Sequence, residues 1–182
     1  TFKKKGNTMN IKGLTILLLG LIALCAPLSA NASDTTRVFP DYQCRVSLPD
    51  QSYSWIDPTQ IPGATAAFRD DTGIIAILIA LKAPKDFKRV DPRGIDDGFC
   101  TPGQITKIKG ENTIFRGTEC YQLTARVEQT GAIVSIRAFA ARGNIYQFQV
   151  IDQTSPYLTP SQQEKIFTAF DFTGIISDGT PR

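Results

Sequence analysis

The chain predicts an α+β domain: an antiparallel β-sheet flanked by α-helices. Three observations carry this. Residues 74–81 (IIAILIAL) are wholly apolar and rich in β-branched side chains, as a strand covered on both faces must be. Residues 105–150 then run as a meander of alternating segments broken by turn signals. Near the end, Thr159 precedes Pro160 with Gln162 three positions on, the start signal of a helix.

Taken in order, residues 42–48 (YQCRVSL) alternate and predict a first strand, stopped by Pro49 and Asp50. Residues 52–56 predict a second, short strand. Pro58, Pro62 and Gly63 mark a loop. Residues 64–69 and 74–82 flank Asp70, Asp71, Thr72 and Gly73, strong hairpin punctuation. Residues 84–101 are broken by prolines and charges and give no clear helix; 95–99 suggest a helical turn.

The meander begins with a strand over 105–109, a turn over 109–112, and a return to extended chain at 113–115. Arg116 and Gly117 indicate a bulge or bend. A two-residue turn at Thr130 and Gly131 pairs Val127 with Val134 and Ala125 with Ile136, which puts both apolar sets on one side. A three-residue loop, Arg142 to Asn144, pairs Ala140 with Tyr146, Ala138 with Phe148 and Ile136 with Val150. The opposite face, with Gln122, Ser135, Arg137, Gln147 and Gln149, is then expected to be wet or partly covered. Ile166, Phe167 and Phe170 form the apolar stripe of the last helix, ended by residues 171–174.

Residues 9–32 read as an export signal. Lys12 precedes an apolar run over 14–26, Pro27 ends it, and Ala30, Asn31 and Ala32 have the small-x-small form of a cleavage site. The run is short for a bilayer span, which needs about 20 apolar residues. A leader and signal peptide are thus expected over 1–32, a flexible lead-in over 33–40, one domain over 41–176 and a tail over 177–182. No stable membrane anchor is expected after cleavage near Ala32, and the protein is placed outside the cytoplasm, periplasmic or secreted.

Cleavage changes the charge argument. The whole chain has 20 bases and 17 acids; without Lys3, Lys4, Lys5 and Lys12 it has 16 against 17, a net charge of −1. No basic patch of the kind nucleic acid needs remains. Lys107, Lys109, Lys82, Lys85, Lys88 and Arg89 read as solvated surface.

Cys44, Cys100 and Cys120 follow the cleavage site. In an oxidising compartment an odd count suggests one pair and one free thiol. The favoured pair is Cys100–Cys120, whose loop of about 20 residues would stabilise by roughly 3 kcal/mol. Three unpaired buried thiols are the alternative.

There is no histidine, which removes Ser-His-Asp and Cys-His catalysis and histidine-bound zinc. Three thiols do not make a cysteine-only zinc site, and no Gly-rich phosphate loop appears. Asp70 and Asp71 fit no calcium-loop spacing and read as turn residues. Asp96 and Asp97 are neighbours that would point apart on a helix, so a capping or loop role is expected over acid–base work. No catalytic residue, cofactor or metal is assigned. Trp55, the only tryptophan, sits beside a Pro-rich loop and is a possible partner contact, or else a cap on the end of the sheet.

The order of elements resembles the PsbP-like superfamily, which includes DcrB-type bacterial envelope proteins. The resemblance covers about 38–172. It rests on the strand ending at Leu48 and Pro49, the meander around Cys120, Tyr121, Gln122 and Leu123, the strand with Tyr146, Gln147 and Phe148, and the end at Phe170, Asp171 and Phe172. It implies an α/β/α sandwich and action by binding or assembly, with no catalytic residues to transfer. The leading expectation is a non-catalytic envelope protein that binds a protein partner. A carrier of a small apolar ligand held between sheet and helix comes second, and a histidine-free hydrolase third.

Overall fold

The computed structural model describes residues 34–174. The expected leader, its cleavage site and the 177–182 tail lie outside the described residues.

Seven strands form one antiparallel sheet in the order β3-β4-β5-β9-β8-β7-β6: β3 (Tyr53–Ile56), β4 (Ala66–Asp70), β5 (Ile74–Lys82), β6 (Ile105–Phe115), β7 (Thr118–Val127), β8 (Ile133–Ala141) and β9 (Asn144–Asp152). A second sheet has three strands, β1 (Thr36–Phe39), β2 (Cys44–Ser47) and β10 (Phe170–Phe172), with β2 in the middle. The helices are α1 (Pro92–Phe99) and α2 (Pro160–Phe167). Ile166 and Phe167 of α2 and Cys44, Val46 and Phe170 of the small sheet cover one face of the large sheet. Ile95 and Phe99 of α1, with Ile61 from a loop, cover the other. The α+β class and the flanked antiparallel sheet therefore stand.

β5 behaves as its composition requires. Ala76, Leu78 and Ala80 face the α2 side, Ile77 and Ile79 the α1 side, and all five are buried. The turn before it is an aspartate turn: Asp70 Oδ1 accepts from the N–H groups of Thr72, Gly73 and Ile74 at 2.9–3.1 Å. α2 starts at its capping box, with Thr159 and Gln162 each accepting from the other's backbone N–H.

Several expectations are corrected. The lead-in contains a strand, because Thr36–Phe39 pairs with Cys44–Ser47. β6 runs unbroken across 109–112, where a turn was expected, and carries a β-bulge between Lys107 and Lys109 instead. Residues 92–99 form a helix, started by Asp91, whose side chain accepts from the N–H of Arg93. Phe170 leaves the helix stripe and pairs with Val46 in the small sheet.

Register differs at two hairpins. Ala125 pairs with Val134 and Leu123 with Ile136, a slip of two that keeps the apolar sets on the expected face. The next hairpin slips by one. Ala141 pairs with Asn144 around Arg142 and Gly143, with φ of 54° and 71°, as a type I′ turn requires at both central positions. Asn144 is thereby a strand residue, held by its amide donating to the carbonyl oxygens of Tyr42 and Arg142. The odd slip turns β9 over: Phe139 now pairs with Tyr146, and Tyr146, Phe148 and Val150 face α2. The face expected to be wet is a closed aromatic core.

The expected Cys100–Cys120 disulfide is absent. Cys44, Cys100 and Cys120 are free thiols. Cys120 belongs to the α2-side core and Cys100 packs on the α1-side core, so the sheet lies between the two side chains.

Candidate ligand-binding site

The α1 side of the sheet carries a polar cluster built by the bulge in β6. Alternation alone would put Lys107 and Gly110 on opposite faces; the extra residue at Ile108 puts both on the α1 side. Lys107 opposes Ala125 and Gly110 opposes Leu123, while Asn112 opposes Tyr121. Tyr121 leans its hydroxyl over Gly110, where a Cβ would meet it. Gly110 thus leaves the space that lets the tyrosine hydroxyl reach α1.

Asp96 of α1 receives both groups. Its Oδ2 accepts from Lys107 Nζ at 2.5 Å and its Oδ1 from Tyr121 Oη at 2.6 Å; Lys107 Nζ also donates to Tyr121 Oη at 3.0 Å. The three side chains close a hydrogen-bonded ring that ties α1 to the β6–β7 hairpin. The bond to Asp96, then that to Tyr121, raises the pKa of Lys107. Burial, then the bond to Asp96, raises that of Tyr121. Burial and the nearby Asp96 charge raise that of Cys100. All three therefore keep their protons at neutral pH, which suits a tie and opposes proton transfer.

Beside this ring lies a cavity of about 610 Å³, within the range of about 300–1,000 Å³ found for ligand sites. One wall is the segment leading into α1, with Lys88, Arg89, Val90 and Pro92. The other is the end of the β6–β7 hairpin, with Asn112, Ile114, Glu119 and Tyr121, and Ala140 of β8. Ile114 is 66% exposed although it belongs to a strand.

The structure separates the residues singled out from sequence. Trp55 lies on the α2 side, away from the cavity. Its Nε1 donates to the Asp34 carbonyl at 2.7 Å, the Arg37 guanidinium sits 4.5 Å over its ring, and Phe68 meets it edge-on at 5.9 Å. Asp70 is committed to its turn. Asp96 and Asp97 diverge as neighbours on a helix do; Asp96 is neither cap nor loop residue but the acceptor of the ring. Lys107, Tyr121, Lys88 and Arg89 were missed as site residues. The available signal was Gly110 inside a strand, which marks a close approach.

Among the described residues, no group of three or more histidine, cysteine or acidic side chains clusters as a metal site would, and no helix is long and apolar enough to cross a membrane. No protein-family model matches the chain, and no curated protein matches it. Among solved structures the chain is similar to the solution structure of cyanobacterial PsbP (CyanoP) from Synechocystis sp. PCC 6803. The identity is 15% and the TM-score 0.49, over 80% of this chain and 98% of that one.

Proposed function

We propose that this is an exported protein that acts by binding, with the cavity between the 88–92 segment and the β6–β7 hairpin as its ligand site. The observation that carries the reading is the cavity itself: about 610 Å³ beside a strand that holds an isoleucine largely in water. An exposed apolar side chain within a concave, mixed-polarity wall is what a small ligand covers. The protonated state of Lys107, Tyr121 and Cys100 supports binding over acid–base catalysis. Export rests on the signal-like residues 9–32.

Native mass spectrometry of protein purified from its source tests the ligand reading. A bound adduct, lost from an Ile114→Asp variant, is expected; apo protein from every preparation counts against it. The intact mass of the same protein tests export, with a start near Ser33 expected.

A protein partner is the second reading, favoured by the outer edge of β6. This edge strand of 11 residues has no neighbour on one side among the described residues, and Ile108 is 54% exposed at its bulge. An extended segment of an envelope protein would add to such an edge. Crosslinking that captures one partner, and fails in Ile108→Lys, is the expected result.

A further inference from the structure

Resting on the cavity as the ligand site, we infer that its ligand is a small monoanionic amphiphile: one carboxylate on a short apolar body.

The anion follows from two bases. Lys88 and Arg89 both line the cavity. Lys88 and Arg89, like Lys85, Arg93 and Arg126, form no ion pair among the described residues, and of these bases they are the two that line the cavity. Their nearest acid ahead in sequence, Asp91, is committed to capping α1. Two adjacent cations on one wall, neither of them in an ion pair, attract an anion, and the guanidinium fork of Arg89 suits a carboxylate.

The single charge follows from Glu119. It lines the opposite wall, so a second negative charge placed deeper would meet a like charge.

The apolar body follows from one part of the remaining lining, the other part being Asn112, Thr113 and Thr118. Val90, Ile114 and Ala140 supply apolar side chains to the walls, with Tyr121 beside them. The Tyr121 hydroxyl is already donating to Asp96 and accepting from Lys107. It has no proton left for the ligand, so recognition of the charge falls to the Lys88–Arg89 end.

The test is a backbone-amide NMR titration with three probes of equal chain length: octanoate, octanol and octylamine, each taken to millimolar concentration. Octanoate is expected to shift residues 88–90, 114 and 140, to leave Trp55 and Phe167 unmoved, and to bind at least tenfold more tightly than the other two. The double variant Lys88→Gln/Arg89→Gln should weaken octanoate about tenfold and leave octanol unchanged. Arg93→Gln, exposed outside the lining, should change neither. Equal binding of octanol and octanoate at the same residues would overturn the anionic class while the cavity remains a ligand site. No shift at the cavity with any probe would overturn both. Binding to phosphatidylglycerol vesicles in place of octanoate would assign the single anion to a lipid headgroup and overturn the soluble ligand.

Discussion

On the α2 side of the large sheet, aromatic rings fill the space between sheet, helix and small sheet. Phe139 stacks on Tyr146 at 5.1 Å and meets Phe115, Phe170 and Phe172 edge-on at 5.3–6.2 Å. Even the charge placed there is enclosed: Arg137 lies 4.8 Å over Phe115 and 4.2 Å over Phe167 and pairs with Glu164. The α1 side is filled differently. Its core is mostly aliphatic, with Phe99 and Tyr121 the aromatic members, its helix is held by a polar ring, and it opens into the cavity. Gln147 and Gln149 lie buried in its centre, each with an Oε1 that lacks a partner among the described residues. The α2 layer is closed by aromatic packing, with one buried acceptor, Asn144 Oδ1, also without a partner among the described residues; the α1 layer leaves two such acceptors and opens into the cavity. That contrast fits a stabilising role for the α2 side and the binding proposed for the α1 side.

Thiol chemistry separates the two sides most strongly. Burial pushes Cys44 and Cys120, both on the α2 side, up to about 12, against an ordinary value near 9. Their thiolate at neutral pH is about a thousandfold scarcer than that of a free thiol. Cys100, half-buried on the α1 side, should take up iodoacetamide first in the native protein, by at least about a hundredfold in rate. Peptide mapping after brief labelling checks this. Equal labelling of all three would mean the α2 layer opens; protection of Cys100 and Cys120 together, relieved by reductant, would restore the disulfide.

The next effect is on stability. Phe139→Ala should destabilise by about 3–5 kcal/mol, because the cavity it leaves is ringed by other aromatics and cannot collapse easily. Denaturant unfolding measures it. A loss below about 1 kcal/mol would mean the aromatic layer is loosely packed.

Gly110→Ala addresses the other face. The new Cβ would displace the Tyr121 hydroxyl, and Lys107 Nζ would lie 2.7 Å from it. The ring to Asp96 must open, at a cost of about 1–3 kcal/mol, and amide exchange in α1 should quicken while α2 stays protected. An unchanged α1 would show that Ile95 and Phe99 hold the helix without the ring.

These positions also show what could be read from the chain. The Asp70 turn, β5 and the α2 cap were legible because each is local: a few residues fix the hydrogen bonds. The faces of β7 and β8 were legible because a slip of two preserves parity. β9 was not. Arg142, Gly143 and Asn144 read equally as a loop of three, and what makes Asn144 a strand residue is its bond to Tyr42, 102 positions away. The same holds for the site. Asp96, Lys107 and Tyr121 meet because one bulged residue turns Lys107 toward α1 and Gly110 makes room for the tyrosine; Gly110 hints at a close approach, but nothing in the sequence says where the bulge falls.

Gln149→Met is the third test of stability. Its neighbours across the ladders are Ile77 and Ile136. A buried acceptor without a partner costs about 1–3 kcal/mol, so an unbranched apolar replacement should stabilise by about 1 kcal/mol. Loss of stability would instead reveal an internal water serving Oε1, and the α1 side would then be satisfied rather than unfilled.

The smallest effect belongs to the rim of the α2 side. Asp50 accepts from Lys165 Nζ at 2.7 Å and from the Ser52 N–H at 2.9 Å. The bond to Lys165, then those to Ser52, lowers its pKa to about 2 from an ordinary 3.8. Because the folded value is the lower one, the carboxylate's contribution is fully present above pH 3.8 and is lost as the pH falls toward 2. Both side chains are largely in water, 61% and 42% exposed, so screening holds the effect to about 0.5 kcal/mol. Asp50→Asn should therefore unfold slightly more easily than the parent at pH 6, and the gap should close by pH 2 and narrow in high salt. A gap unchanged across that range would mean the amide disrupts the Ser52 turn itself, and that α2 does not depend on Lys165 for its seat on the sheet.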